Sequence, residues 1–286
     1  MTDNLESMSI AIENALVARN LRGMASVRPS LKPGYCLRAA KTLFSAKGVV
    51  LIGTGFPVTD TFETDGPLGA IALYQALEAV GSTPYIVCGA PLSKALRDDY
   101  RIVEIEVGKH AYQAQEAKAV LDDLKPSVVL SIERPGQAED GNYYNMRGED
   151  ISARTACYDT FMKQASCPTI AIGDGGNEIG MGNVAQALKS LDIVAAQTGC
   201  DELLVADVSN WGGYGLIAIM GYLENRDLLA EFEPVVTLQY LSKLGSVDGV
   251  TRLNQLTEDG LDSSVGDEVI LELRKLTGFD VSNKTK

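Results

Sequence analysis

The sequence predicts an α/β fold in which a doubly wound, mostly parallel sheet lies between two layers of helices. Short apolar runs alternate with segments of helical periodicity along the middle of the 286-residue chain, and this alternation is typical of βαβ units. The first run, from Gly48 to Ile52, is almost continuously apolar, as expected for a strand that is covered on both faces. We therefore expect a three-layer domain with N-terminal helices and a helical C-terminal cap.

The predicted elements divide the chain into three parts of a single α/β domain, residues 1–286. In the N-terminal part, residues 1–47, apolar side chains recur at helical spacing over residues 4–21 and 35–46. The sheet core, residues 48–225, has predicted strands at 48–52, 85–88, 102–107, 128–132, 169–172 and 203–205. The helices between them are predicted at about 66–80, 91–99, 111–124, 151–165, 177–189 and 212–224. The C-terminal extension, residues 226–286, has helical patterns at 235–244 and 265–276 on either side of a turn-rich segment.

Composition limits the classes of partner. The chain has 25 Lys and Arg against 38 Asp and Glu, which gives a formal charge of -13. Because an acidic protein repels the phosphates of nucleic acids and anionic lipids, we expect neither as a partner. No apolar run reaches the roughly 18 residues that cross a bilayer, and the first residues lack the pattern of a secretory or mitochondrial leader. We expect a cytoplasmic protein, and a homo-oligomer is compatible with the sequence.

Histidine and cysteine offer little catalytic potential. The sequence has a single histidine, His110, and no GxSxG motif, so a serine triad is not expected. The five cysteines are scattered without CxxC spacing, which argues against a zinc site with nitrogen and sulfur ligands. Any metal is therefore expected on oxygen ligands.

Loops rich in glycine, carboxylates and amides follow four of the predicted strands. Ligands bind beyond the carboxyl ends of parallel strands, where such loops converge. We therefore expect one site built from residues 53–69, 133–148, 173–183 and 207–215.

The first loop offers Gly53, Thr54 and Gly55 as a cradle for a phosphate or carboxylate, because glycine lets the backbone approach a ligand closely. Asp65 either caps the helix that starts at Pro67 or contacts the ligand directly.

The other three loops supply charged and amide side chains. In the second loop Arg134 and Arg147 could bind a carboxylate through paired hydrogen bonds, with Asn145 nearby. The remaining candidates are Asp174, Gly175, Gly176, Asn177 and Glu178 in the third loop and Asn210 in the fourth. The GxGxxA match that begins at Gly180 starts seven residues beyond the predicted strand, so a dinucleotide site is not expected there.

Four segments in this order resemble the D-glutamate cyclase family: GTGFPV, ETDGPLGA, ERPG followed by DGNYYNMRGEDI, and IGDGGNEIGMGN. The resemblance spans residues 45–225, approximately. In animals the family is the C-terminal part of a larger mitochondrial protein, and in bacteria it is a stand-alone domain. The resemblance implies a hydro-lyase that converts D-glutamate to 5-oxo-D-proline with loss of water.

This reaction needs a base that deprotonates the amine and a group that neutralises the γ-carboxylate. Chemistry suggests Glu178 or Asp174 as the base, with Glu133 and Asp140 as alternatives. Arg134 or Arg147 would bind the α-carboxylate. The backbone N–H groups of residues 53–55 or 175–176 would bind the γ-carboxylate.

Three alternatives stay open at this point. The carboxylates of Asp65, Glu133, Asp174 and Glu178 could hold Mg²⁺ or Mn²⁺ as a Lewis acid, although the sequence requires no cofactor. The loops could instead bind a phosphorylated metabolite or nucleotide together with Mg²⁺. The protein could also bind an amino acid without changing it.

Overall fold

The computed structural model describes residues 2–109 and 111–279. The prediction about His110 therefore lies outside the described residues, as do residues 280–286 of the predicted C-terminal extension.

The strands, in chain order, are β1 (Val49–Gly53), β2 (Pro57–Val58), β3 (Thr61–Phe62), β4 (Thr83–Cys88), β5 (Ile102–Glu104), β6 (Val128–Ile132), β7 (Thr169–Gly173), β8 (Glu202–Val205), β9 (Thr257–Glu258) and β10 (Leu261–Asp262). Strands β2 and β3 form one small antiparallel hairpin, and β9 and β10 form another. The other six form a parallel sheet in the order β5-β4-β1-β6-β7-β8.

The helices are α1 (Thr2–Leu16), α2 (Met24–Val27), α3 (Tyr35–Ser45), α4 (Pro67–Ala79), α5 (Leu92–Leu96), α6 (Gln113–Leu124), α7 (Asp159–Gln164), α8 (Ala185–Leu188), α9 (Ser209–Glu224), α10 (Pro234–Lys243) and α11 (Ser263–Leu276). Short 3₁₀ helices lie at Arg28–Ser30, Ser152–Arg154 and Met181–Val184.

The strand order confirms the predicted doubly wound sheet. From β1 at the centre the chain adds β4 and β5 on one side, then returns to add β6, β7 and β8 on the other. Every residue of β6 and β7 is buried, because one hydrophobic core lies on each face of the sheet. Helices α1, α3, α4, α9, α10 and α11 contribute to one core, and α2, α6, α7 and α8 to the other. The reversal between β1 and β6 is the switch point where ligands bind in such sheets.

Helices α4 and α9 pack against each other with their N-termini close together. A side chain at Gly69 would place its Cβ only 2.9 Å from the Cα of Asn210, so glycine is required for this approach. The crossing brings the first turns of both helices to the carboxyl edge of the sheet.

Several predicted elements are shorter than expected, including the helix predicted at 91–99, which spans only Leu92–Leu96. The helix predicted at 151–165 is a 3₁₀ turn followed by α7, because the intervening backbone at Ala156 bridges to Val107. The helix predicted at 177–189 begins only at Met181, since Glu178 bonds to its own loop. The strand predicted at 102–107 ends at Glu104.

Candidate active site

A cavity of about 210 Å³ opens at the carboxyl edge of the sheet. Three of the predicted loops, those after β1, β6 and β7, contribute to its wall. Other contributors were not predicted, among them Arg22, which follows α1, and Asp259, in the turn of the β9–β10 hairpin. The N-terminal and C-terminal segments therefore both reach the site.

Five acidic side chains line this cavity: Glu63, Glu133, Glu149, Asp174 and Asp259. Carboxylate oxygens of Asp65, Asp174 and Asp259 lie within 4.8 Å of one another, and so do oxygens of Glu133, Asp174 and Glu178. Asp174 belongs to both groups and is 1% exposed. It is the centre of the cluster.

Arg22 compensates part of this negative charge. Its Nη1 lies 2.8 Å from Oδ1 of Asp174 and also contacts a carboxylate oxygen of Asp259. Burial by itself lowers the pKa of Arg22, but attraction to Asp174 and Asp259 outweighs it and raises that pKa above its usual value. The guanidinium therefore stays charged.

Burial and crowding change the titration of the acids. Burial raises the pKa of Glu133 and Asp174 well above the usual range, and neighbouring carboxylates raise both further. The pKa of Glu63 is raised for the same two reasons, and burial raises the pKa of Asp65 to about 7. Carboxyl groups with raised pKa values and different neighbours can combine acid and base functions in one site.

Asp65, which precedes α4, caps α9, and Asn210, in the first turn of α9, caps α4. Asp65 accepts hydrogen bonds from the backbone N–H groups of Ser209 and Asn210 at the start of α9, at 3.0 and 2.8 Å. Asn210 Oδ1 accepts from Gly66 and Gly69 at the start of α4, at 2.9 and 2.8 Å. Asp65 therefore caps α9 and not the helix at Pro67, and Asn210 belongs to the framework under the cavity.

Glu133 is held in an unfavourable backbone conformation. Its φ is 43°, in the left-handed region that non-glycine residues rarely adopt. Thr59, Arg252 and Asp259, which also line the cavity, have φ values of 50°, 60° and 54°. Each such residue costs about 1–3 kcal/mol and is found most often at functional sites. Ser209, a residue that was not predicted, donates its Oγ hydrogen bond to Glu133 Oε2 at 2.5 Å.

Glu178 shapes the third loop and does not line the cavity. Its two carboxylate oxygens accept the backbone N–H groups of Gly175 and Gly176, at 3.1 and 2.8 Å. The two glycine donors that were expected to bind a substrate are thereby occupied. The geometry favours Glu133 and Asp174 over Glu178 for contact with a ligand. Asn177 does line the cavity, and its Oδ1 is buried without a hydrogen-bond partner.

The predicted cradle after β1 does not line the acidic cavity. A Cβ on Gly53 would lie 2.2 Å from the ring of Tyr158, so this glycine makes room for an aromatic side chain. Arg134 donates to the carbonyl oxygens of Thr54 and Gly55, at 2.7 and 2.9 Å, and to that of Ala156. Gly55 and Arg134 line a second, neighbouring cavity.

The mouth of the first cavity is basic. Arg147 donates to the carbonyl of Val250 at 3.1 Å, and Arg252 pairs with Glu149 at 2.9 Å. Arg154 completes this rim. Asn145 also lies at the mouth, where its Oδ1 accepts from the backbone N–H groups of residues 147 and 149. Asp140 is exposed and bonds to Asn142 and Tyr144, so it does not contribute to the cavity.

The carboxylates also fit a hard divalent cation, since both groups of three offer only oxygen ligands. All four predicted ligands, Asp65, Glu133, Asp174 and Glu178, belong to these groups. The guanidinium of Arg22 contacts two carboxylates of the group that contains Asp259, but only Asp174 in the other group. The group of Glu133, Asp174 and Glu178 is therefore the better candidate for Mg²⁺ or Mn²⁺.

Fold and site together define an α/β protein with a carboxylate-lined cavity at the switch point of a parallel sheet. A family model described as D-glutamate cyclase-like, C-terminal, matches residues 12–274. The chain belongs to this family, which confirms the resemblance seen in the sequence.

Known proteins that are similar to the chain include a human protein and a bacterial protein. The human protein named D-glutamate cyclase, mitochondrial, is 33% identical over 234 residues, which cover 72% of this chain and 36% of the human protein. The chain thus spans little more than a third of that relative's length. The crystal structure of an exopolyphosphatase-related protein from Bacteroides fragilis aligns with a TM-score of 0.42 at 10% identity, over 88% of this chain and 62% of that one.

Among residues 2–109 and 111–279, none of the helices is both long and apolar enough to pass through a lipid bilayer.

Proposed function

We propose that the protein cyclises D-glutamate to 5-oxo-D-proline with loss of water. Family membership suggests an enzyme, and the human relative carries the name of this activity. The observation that carries the proposal is the cavity itself. It combines buried carboxyl groups of raised pKa with a basic mouth, and this combination suits an amino acid with two carboxylates.

The charges of glutamate complement the two ends of the cavity. Its ammonium group is attracted by the ionised carboxylate of Asp174, which lies beside the carboxyl group of Glu133. Its α-carboxylate is attracted by the arginines at the mouth, Arg147, Arg154 and Arg252. These arginines also offset the repulsion that a chain of charge -13 exerts on an anionic substrate. A phosphorylated ligand fits less well, because the glycine N–H groups of the third loop already bind Glu178.

The reaction moves two protons from nitrogen to oxygen. An ionised carboxylate removes one proton from the ammonium group, and the neutral amine attacks the γ-carbon to form the new C–N bond. A protonated carboxyl group gives a proton to a γ-oxygen. The nitrogen then loses its second proton, the departing oxygen receives it, and the C–O bond breaks to release water. The two carboxyl groups have then exchanged protonation states, and transfer of one proton from the first to the second returns both to their starting states.

Asp174 and Glu133 differ in a way that suits these two roles. Arg22 stabilises the ionised form of Asp174, which favours it as the base. Burial is the largest cause of the raised pKa of Glu133, and the other causes are all neighbouring carboxylates, with Glu178 first. These neighbours favour the protonated form, so Glu133 suits the role of the acid. A divalent cation held by Glu133, Asp174 and Glu178 would add a Lewis acid for the γ-carboxylate.

The proposal is tested by incubating the purified protein with D-glutamate or L-glutamate and following 5-oxoproline by chiral mass spectrometry. We expect product from the D enantiomer. Glu133→Gln and Asp174→Asn should abolish it while far-ultraviolet circular dichroism stays unchanged. Glu139→Gln, an exposed residue of the same loop as Glu133, is the matched control and should retain activity. Failure of the wild type to form product from D-glutamate would overturn the proposal.

A further inference from the structure

A second cavity of about 240 Å³ lies beside the acidic one. The two cavities share Phe56, Pro57, Thr59 and Arg154 in their walls. The second cavity lies beyond the carboxyl ends of β1 and β4, whereas Glu133 and Asp174 follow β6 and β7. Its wall is mainly apolar, and its larger apolar side chains are Phe56, Pro57, Phe62, Pro91, Leu92 and Val107.

Arg134 gives this apolar cavity a buried positive charge. The residue is 2% exposed, and within residues 2–109 and 111–279 no carboxylate forms an ion pair with it. Three backbone carbonyls accept from its Nη atoms, while Nε is buried without a partner. Burial lowers the pKa of this guanidinium, and a buried charge without a counter-charge is unfavourable.

Arg154 adds a second guanidinium at the boundary between the cavities, where it donates to the carbonyl of Thr59. One acid, Asp60, also lines the second cavity, but it is exposed. The buried charged residues of the acidic cavity, in contrast, are the acids Glu63, Glu133 and Asp174. The buried walls of the two cavities therefore carry side chains of opposite charge.

We propose that the second cavity binds a small organic monocarboxylate that has a compact apolar body and lacks an ammonium group. The carboxylate compensates the charge of Arg134 and Arg154, and the apolar body contacts side chains such as Phe62 and Leu92. An amino acid is disfavoured there, because this wall has no buried carboxylate to receive an ammonium group.

The product of the proposed reaction has this chemistry, and this part of the inference rests on the proposed function. Cyclisation removes the ammonium group and one carboxylate, so that 5-oxoproline keeps a single carboxylate on a compact ring. The acids no longer attract it, and Arg154 can contact its carboxylate from either cavity. The second cavity is then a product subsite.

The test is calorimetric titration of 5-oxo-D-proline into the full chain. Ala153 is exposed and lines only the second cavity, so Ala153→Phe fills that cavity without altering the acids. We expect about tenfold weaker binding in this variant, equivalent to about 1.4 kcal/mol. Ala119→Phe, at an exposed alanine of α6 that lines neither cavity, is the control and should bind as the wild type does. Equal affinity in both variants, or no binding to the wild type, overturns the inference.

Turnover of D-glutamate separates this inference from the proposed function. If 5-oxo-D-proline binds in the second cavity, it should inhibit turnover in a mixed pattern, and Ala153→Phe should weaken this inhibition. Purely competitive inhibition, equally strong in Ala153→Phe, contradicts the subsite and leaves the cyclase proposal intact. If D-glutamate is not turned over, the titration still decides whether the monocarboxylate site exists.

Discussion

Replacing Arg22 by methionine should destabilise the protein in a pH-dependent way. Methionine keeps most of the apolar length of the side chain but removes the charge that Asp174 and Asp259 share. Both carboxylates are nearly fully buried, with side chains 2% and 6% exposed. Without Arg22 they must either repel each other or take up a proton.

The size of the effect follows from the geometry. Unit charges about 4 Å apart at an effective dielectric constant of about 20 attract each other by about 4 kcal/mol. Removing one partner of a buried ion pair typically costs about 3–5 kcal/mol. We expect a loss of this size in the free energy of unfolding at pH 8. The loss should be smaller at pH 5, because loss of the guanidinium raises the pKa of Asp174 further and the protonated acid needs no counter-charge.

Urea unfolding measures the loss in the free energy of unfolding at pH 8 and at pH 5. The control is Arg97→Met, which breaks an exposed ion pair with Glu104 and should cost less than about 1 kcal/mol. Adding Asp174→Asn to Arg22→Met should recover part of the stability at pH 8. An Arg22→Met loss no larger than that of Arg97→Met, or an equal loss at both pH values, would refute the central electrostatic role of Arg22.

Three further outcomes are expected. Glu178→Gln leaves one backbone N–H of the third loop without an acceptor, so the free energy of urea unfolding should fall by about 1–3 kcal/mol. Burial raises the pKa of Glu258 from 4.5 to about 8; the folded protein binds this proton more tightly than the unfolded chain, so stability is lost as pH rises from 4.5 through 8. A shift of this size corresponds to about 5 kcal/mol of stability. The melting temperature of Glu258→Gln should therefore fall less between pH 4.5 and pH 8 than that of the wild type. Arg147→Ala, at the mouth, should raise KM for D-glutamate severalfold with little change in kcat, as a steady-state assay would show.

A different result would contradict each of these three predictions. An unchanged urea midpoint in Glu178→Gln would mean that this carboxylate does not order the loop. An unchanged pH dependence in Glu258→Gln would place the titrating group elsewhere. A fall in kcat without a change in KM in Arg147→Ala would show that this arginine acts on the reacting atoms and not on binding.

The sheet was predictable because its strands are buried on both faces. Strands β1, β6 and β7 appear in the sequence as short apolar runs, and the structure places all three in the parallel sheet. The loops that follow them were predicted to converge, and Glu133 and Asp174 do lie together in one cavity. Parallel topology alone accounts for this convergence, since it brings the carboxyl ends of the strands to one edge.

The partners of these acids could not be read from local patterns. Arg22 and Asp259 reach the cavity from segments outside the predicted core, 152 residues before and 85 residues after Asp174 in the chain. Each lies in a turn that resembles other turns in the sequence. The roles of Glu178 and Arg134 were obscured for another reason, because hydrogen bonds to backbone groups depend on the folded loops and leave no spacing pattern.

The most direct test of the proposed chemistry uses D-glutamate labelled with oxygen-18 at both γ-carboxyl oxygens. If the amine attacks the γ-carbon and one of these oxygens leaves as water, the 5-oxo-D-proline formed by the wild-type protein carries one labelled oxygen, in its ring carbonyl. Absence of product, or product without the label, would contradict the proposed chemistry.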